Sequence, residues 1–407
     1  MNILFLTLLD FDTLNQSGIY TDLLRKFARE KHHIYVISPA ERRTGKRTQV
    51  LKEKNATILK VKIGNIQKTN LIEKGISTIT LEYIFIHAIK KYFANVKFNL
   101  VLYSTPPITL QKAVEYVKKR DQAQTYLLLK DIFPQNAVDL GMLKKSGYKK
   151  LIYRYFRIKE KKLYAISDYI GCMSEANKNY ILKHNHEISL QRVEVCPNCI
   201  EVLDMSIDEN EKKRMRKKYE IPQNKIVFVY GGNLGKPQGI PFLIKCLKQL
   251  IDNKEIFILI VGEGTEYNLL EKFFNKYRPQ NMKLMKELPK EEYDQMIASC
   301  DVGMIFLDHR FTIPNFPSRL LNYMQAKLPV LAVTDPNTDV GKVIVDGDFG
   351  WWCESRDVRD VIRIINQIVI YRNQISLIGM KSYKYLEENY LVDNAYEIIT
   401  KKIKCFS

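Results

Sequence analysis

The stretch TIPNFPSRLLNYMQAKLPVLAVTD, residues 312–335, concentrates more usable chemistry than any other. Pro317 and Ser318 have the composition of a helix start, proline suiting the first turn and serine a cap. Such a start offers N–H groups and a positive dipole end to an anion. Arg319 then falls in the first turn, where a cation opposes the dipole. An anion held there bidentately by the guanidinium resolves the conflict. The competing reading is a solvent-exposed arginine at a chance helix start.

Three glycine-bearing segments follow candidate strands. GGNLGKPQG spans residues 231–239, and Lys236 stands among its glycines where it can reach a phosphate. The spacing is neither the dinucleotide fingerprint nor the Walker pattern, so a structural turn competes with ligand contact. Val261-Gly262-Glu263-Gly264 is a second such strand end. Gln16-Ser17-Gly18 is a third, preceded by Leu9-Asp10 and followed by a helical pattern. Glycine there lets backbone approach a ligand, although a plain turn needs it equally.

Elements must place these groups on one rim. Short apolar runs separated by helical patterns read as buried parallel strands. In the first half the strands are expected at residues 3–9, 33–38, 100–103, 125–129 and 169–173, with further strand character near Val193. Helices are expected at 20–30, 82–93, 110–119 and 147–166. After a charged stretch at 208–219 the alternation restarts. Strands are expected at 226–230, 257–261, 282–284, 302–306 and 330–333, and helices at 241–252, 265–276, 291–299, 318–326 and 358–373. The tail, 382–404, is helical in pattern. Two βα-repeating halves predict an α/β chain of two Rossmann-like, doubly wound domains facing across a cleft, with ligands outside the carboxyl ends of the strands.

Composition narrows the partners. The 407 residues, 46% hydrophobic and 27% charged, exclude a disordered chain. The net charge of +19 points to an anionic partner. Zinc-finger spacing and RNP-like aromatics are both missing, which argues against nucleic acid. There is no run of about 18 apolar residues and no basic leader with a cleavage site, so the expected location is cytoplasmic. Cys196 and Cys199 form a CPNC read as two partly buried thiols at a strand end, and His184 and His186 as a surface turn. No metal site is expected.

FPSRLLNYMQAKLPVLA resembles the donor-binding segment of family-4 glycosyltransferases of the GT-B fold. More narrowly it resembles the bacterial surface-polysaccharide branch that includes fucosamine transferases, whose pattern is P-S-K-x-x-E-Y-x-x-x-G-K-P. Ser104-Thr105-Pro106-Pro107 resembles that branch's S-x-P-P, and residues 131–136, DIFPQN, its D-x-W/F-P-E-S. Cys196-Pro197-Asn198 carries its P-N. Residues 230–239 resemble its Y-x-G-N-L-G-x-x-Q-G. The resemblance spans nearly the whole chain.

It implies that Gly232, Asn233, Lys236 and Arg319 contact a donor diphosphate, together with the backbone of Phe316, Pro317 and Ser318. Glu263 and Gly264 would lie near the base, and Asn322 and Gln325 near the ribose. Gly18 would sit under the reacting centre, with Ser17, Ser104 and Lys130 on the acceptor side. Asp131 would orient or deprotonate the acceptor hydroxyl; a structural aspartate competes. The resemblance divides the chain into an acceptor-binding domain, 1–200, and a nucleotide-sugar domain, 201–381, with the helix at 382–407 packing back on the first. One departure stands out. Where the family has two glutamates, Pro314 and Asn322 stand here.

The implied reaction retains anomeric configuration and needs no metal or other cofactor, because Arg, Lys and a helix start neutralise the leaving diphosphate. The donor would be UDP-linked, an N-acetylated amino sugar being the type in view. The acceptor would be a lipid-linked saccharide in capsule, exopolysaccharide or O-antigen assembly. Residues 144–164 mix nine Lys and Arg with exposed-type aromatics and aliphatics. On a helix this suits an anionic membrane surface and a peripheral location on its inner face; an ordinary packed helix competes. The alternatives are a sugar-nucleotide 2-epimerase of the same fold and a catalytically silent partner in an assembly complex.

Overall fold

The computed structural model describes residues 1–66, 69 and 71–403, with only the backbone of Leu71, Ile72 and Lys74. Two units result. One comprises Met1–Glu201 and Val392–Ser407, the other Val202–Leu391.

The first unit runs β1 (Asn2–Leu6), α1 (Ile19–Arg29), β2 (His33–Glu41), β3 (Gln49–Glu53), β4 (Ala56–Ile63), α2 (Leu71–Tyr92), β5 (Leu100–Ser104), α3 (Gln111–Asp121) and β6 (Gln124–Leu129). It continues with α4 (Gln135–Asp139), α5 (Lys149–Ile166), β7 (Tyr169–Cys172), α6 (Glu175–His184) and β8 (Val193–Val195). The second unit runs α7 (Glu209–Lys218), β9 (Ile226–Gly231), α8 (Ile240–Gln249), β10 (Ile256–Val261), α9 (Tyr267–Tyr277), β11 (Met282–Met285), α10 (Lys290–Ala298) and β12 (Val302–Phe306). Then come α11 (Arg319–Gln325), β13 (Val330–Thr334), α12 (Val340–Asp346), β14 (Gly350–Glu354), α13 (Val358–Ile370) and α14 (Ile375–Asn389). The chain ends on α15 (Val392–Lys402), which belongs to the first unit.

Each sheet is doubly wound. The second unit's six strands are ordered β11-β10-β9-β12-β13-β14 and all pair in parallel. The first unit's order is β3-β4-β2-β1-β5-β6-β7-β8, parallel except for the β3–β4 hairpin at its edge. The order reverses between β9 and β12 and between β1 and β5, where such sheets open a crevice for ligands. Strands buried on both faces account for the unbroken apolar runs, such as IFILIV in β10.

Several elements escaped the sequence reading. The β3–β4 hairpin was not expected, because lysines interrupt its apolar pattern. The helix expected at 82–93 begins eleven residues earlier, at Leu71. The single tail helix is two: α14 ends at Asn389, and the chain passes Tyr390 and Leu391 before α15 starts. Lys404, its expected last residue, lies outside the described residues. Residues 375–391 therefore stay with the second unit, while α15 packs on α1 through Tyr396 and Phe27, 4.9 Å between ring centroids.

Lys60 explains how a lysine sits in β4. Its side chain is wholly buried, opposite Ser38 of β2. The ammonium donates to Ser38 Oγ at 2.9 Å, to the Phe11 carbonyl at 3.2 Å and to the Asp10 carboxylate, and lies 3.3 Å from Asp12. It straps the loop after β1 to the sheet. Lys46 reaches Asp12 at 2.8 Å from solvent. In urea unfolding, Lys60→Ala should cost the first unit about 2–3 kcal/mol, through lost packing and orphaned acceptors. Lys46→Ala, whose pair is exposed, should cost less than about 1 kcal/mol.

Candidate functional site

At the second unit's switch point, the loop leaving β9 is zipped to the loop leaving β10. Gly232 N donates to Val261 O at 2.9 Å, Leu234 N to Glu263 O at 2.8 Å and Glu266 N to Leu234 O at 2.9 Å. The glycines permit this. A Cβ on Gly262 would lie 1.9 Å from Gly232 O, and one on Gly264 2.4 Å from the Leu234 backbone. Gly232 itself has φ 107, a conformation that favours glycine. So Gly262 and Gly264 serve backbone packing first, and Glu263 projects from the zipped edge, exposed.

Arg319 begins α11, the helix after β12. Its guanidinium carbon lies 4.4 Å from the Tyr230 ring centroid. Nη2 donates to the Asn233 carbonyl at 3.3 Å, and a Cβ on Gly232 would sit 3.7 Å from it. Nη1 is buried with no hydrogen-bond partner among the described residues. A buried guanidinium nitrogen left unpaired is costly, so Nη1 is suited to take an acceptor oxygen. Arg319 and the 232–236 loop thus meet at the crevice.

The rest of the anticipated donor set divides. Asn233 and Lys236 are exposed on the same loop. Asn233 Nδ2 donates to Gln238 Oε1 at 3.3 Å, and Gly235 N to the same oxygen at 3.1 Å, so Gln238 shapes this loop from within. Ser318 does not cap the helix: it is αR itself and its side chain makes no cap bond. With α11 only seven residues long, the helix dipole is a lesser source of positive charge than Arg319. Phe316 is buried, its ring 6.2 Å from that of Tyr390, and Pro317 is half-buried. Gln325 is corrected from ribose contact to a structural role. It is buried, its Oε1 accepting from Leu203 N at 3.1 Å and its Nε2 lying 2.9 Å from Met205 Sδ. Asn322 is half-buried, and Pro314 is buried.

Residues given no role from sequence lie around the same loops. Tyr230 is wholly buried, with its hydroxyl donating to Asn233 O at 3.0 Å. The Tyr323 hydroxyl accepts from Gly231 N at 2.9 Å and donates to Met304 O at 3.1 Å. Tyr293 lies so close over Gly231 that a Cβ there would fall 1.8 Å from its hydroxyl. Glu266 has a buried oxygen with no hydrogen-bond partner among the described residues; burial raises its carboxyl, against the pull of Lys236 and Arg310. The tyrosine at the end of an apolar strand, just before two glycines, was the available signal.

In the first unit, Asp131 follows β6 and is half-buried. Asn136 Nδ2 donates to both carboxylate oxygens, at 2.8 and 2.7 Å. Burial nevertheless pushes the carboxyl up to about 6. Thr105 Oγ1 accepts from the backbone N–H groups of Lys130 and Asp131 at 3.0 and 3.2 Å, tying the β6 end to the β5 end. Two acceptor-side residues, Lys130 and Ser104, and Gly18, expected under the reacting centre, have structural partners here. Lys130 turns inward, its Nζ donating to the Cys196 carbonyl at 3.2 Å, so it fastens the chain near Cys196. Ser104 is buried against the Tyr20 hydroxyl. The Gly18 N–H is taken by Asp22 Oδ1 at 3.1 Å, and its φ of 171 is extended backbone open to any residue. Ser17 is exposed beside it. Cys196 and Cys199 are buried free thiols.

Residues 211–388 match the family described as glycosyl transferases group 1. The chain is 24% identical over 383 residues to the probable glycosyltransferase WbjE of Pseudomonas aeruginosa, covering 92% of this chain and 91% of that one. Sucrose-phosphate synthase from Thermosynechococcus elongatus superposes with a TM-score of 0.77 at 12% identity, over 98% of this chain and 97% of that. Anabaena HepE, solved in complex with UDP-glucose, superposes with a TM-score of 0.69 at 14% identity over the whole of both chains. The fold is GT-B. The matched family and the similar protein named a glycosyltransferase support a transferase of sugars.

The Asp131 carboxyl has a signature. Its folded value, about 6, exceeds the ordinary 3.8, so the folded state holds the extra proton between these values. Asp131 therefore favours folding at acid pH, and its contribution is lost as pH rises toward 6. Asp131→Asn should flatten the fall in stability across that interval, measured by urea unfolding at each pH.

Proposed function

We propose that this chain transfers a sugar, with retention of configuration, from a UDP-type donor to a lipid-linked saccharide in bacterial surface-polysaccharide assembly, as a family-4 enzyme of the fucosamine-transferase branch. An N-acetylated amino sugar is the donor type proposed. The reading is carried by Arg319, whose buried Nη1 awaits an oxyanion at the switch point. Breaking the donor's glycosidic bond puts negative charge on the departing diphosphate, and a fixed guanidinium stabilises that charge as it develops. With this cation, and Lys236 and Asn233 on the facing loop, the reaction is proposed to need no divalent ion. Asp131 is proposed to orient the acceptor hydroxyl or take its proton, for which a carboxyl near 6 is suited.

A second reading, a catalytically silent nucleotide-binding partner, draws support from Pro314 and Asn322, which offer no carboxylate where the family has two. A release assay separates the two. UDP formation from a UDP-sugar panel should require an added lipid-linked acceptor and persist in EDTA. Arg319→Ala should lower kcat/KM by about 100-fold, the scale of losing one transition-state donor. UDP binding without release under every acceptor would favour the silent partner. Activity lost in Asp131→Ala but kept in Asp131→Asn would remove the proton-accepting role.

The acceptor and inner-face location rest on α5. Leu151, Ile152, Tyr155 and Ile158 are exposed on it among lysines and arginines. On α2, Ile76, Ile79 and Tyr83 are exposed too, and Lys159 of α5 bonds Glu82 of α2 at 2.8 Å. Apolar side chains flanked by cations fit the interface of an anionic bilayer. Among the described residues no helix is long and apolar enough to cross a membrane. The protein should sediment with anionic liposomes at low salt. Leu151→Asp with Ile158→Asp should leave it in the supernatant, and wild-type protein staying there would sink this part.

A further inference from the structure

We infer that Tyr230 is a positioning residue: its buried ring and the Asn233 carbonyl fix the Arg319 guanidinium before any ligand arrives, with Nη1 turned over to a diphosphate oxygen. This rests on the diphosphate-binding reading above.

The ring belongs to β9, in the middle of the sheet, and is wholly buried, so it is a rigid platform. The guanidinium stacks on it at 4.4 Å. Both the Tyr230 hydroxyl and Arg319 Nη2 donate to Asn233 O, at 3.0 and 3.3 Å. One carbonyl thus ties ring and cation to the phosphate-side loop. Tyr323 reinforces the platform by bridging the end of β9, at Gly231, to Met304 of β12. These contacts use one face and one nitrogen of the guanidinium; Nη1 is left buried and unpaired among the described residues. A tyrosine placed only to fill the core would need its hydroxyl satisfied, and the Asn233 carbonyl provides for that. The stacked cation is the additional fact. An arginine already held in its bound geometry loses less freedom on binding, and its planar fork is suited to phosphoryl oxygens.

The test titrates inorganic pyrophosphate, UDP and uridine into the full chain by calorimetry. It compares wild type with Tyr230→Phe, Tyr230→Leu and Tyr230→Met. The leucine and methionine variants should lose about tenfold in affinity for UDP and pyrophosphate, the scale of a desolvated cation–π contact. Their affinity for uridine, which has no phosphate, should hold, and Tyr230→Phe should recover most of the loss. Undiminished pyrophosphate affinity without the ring overturns the inference. So does a parallel loss of uridine and UDP, which would mark Tyr230 as fold support alone. Wild type that binds pyrophosphate but not UDP would overturn the nucleotide-sugar reading, while the pyrophosphate series still decides the tyrosine's role. Binding of neither overturns both.

Discussion

A parallel sheet covered on both faces has little room for charged side chains along its strands. Polar chemistry is therefore forced to the strand ends, and here everything that could act on a substrate obeys that constraint. Arg319 follows β12, the glycine loop follows β9, and Asp131 follows β6. The apolar interior fixes where the strands stop, and the stops fix where charge can gather. Lys60 is the exception that shows the rule's strength. A cation inside a strand is tolerated because two carboxylates and a carbonyl of the loop after β1, with the Ser38 hydroxyl of the neighbouring strand, meet it.

The same constraint decides what could be read from sequence. The central strands were legible because burial on both faces writes a continuous apolar run. The β3–β4 hairpin was not, because an edge strand need hide only part of its surface and β4 carries two lysines, of which Lys62 is exposed and Lys60 is neutralised by a tertiary contact. The break at Tyr390 and Leu391 was hidden as well, since helical periodicity continues through it, and only the return of α15 to the first unit demands a stop. In the site, Arg319 and the 231–239 loop were legible from residue type. The fate of an amide or a lysine was not. Gln325 and Lys130 are polar residues near strand or helix ends, and nothing in their spacing tells that their polar atoms are bonded to neighbouring chain segments. Tyr230 opens the quoted loop motif, but at the end of an apolar strand it reads as core, and its contact with a cation far along the chain carries no sequence mark.

Positive charge at this crevice comes from a side chain more than from a helix. A seven-residue helix without a side-chain cap concentrates little dipole, whereas a guanidinium carries a full charge and needs only to be held still. The Tyr230 ring and the Asn233 carbonyl supply that holding, Tyr323 bracing the end of β9 behind them, and none introduces a carboxylate. Pro314 and Asn322, in the same segment as Arg319, carry no charge, so neither adds a carboxylate there.

The glycine zipper between the loops leaving β9 and β10 bears on how such an enzyme can diversify. Its geometry is written in main chain, with Gly262 and Gly264 admitting no side chain at all. Mutation cannot readily reshape that floor, whereas Glu263 projects from it with an exposed side chain. A lineage built on this scaffold can therefore vary the projecting position while the platform beneath is inherited unchanged.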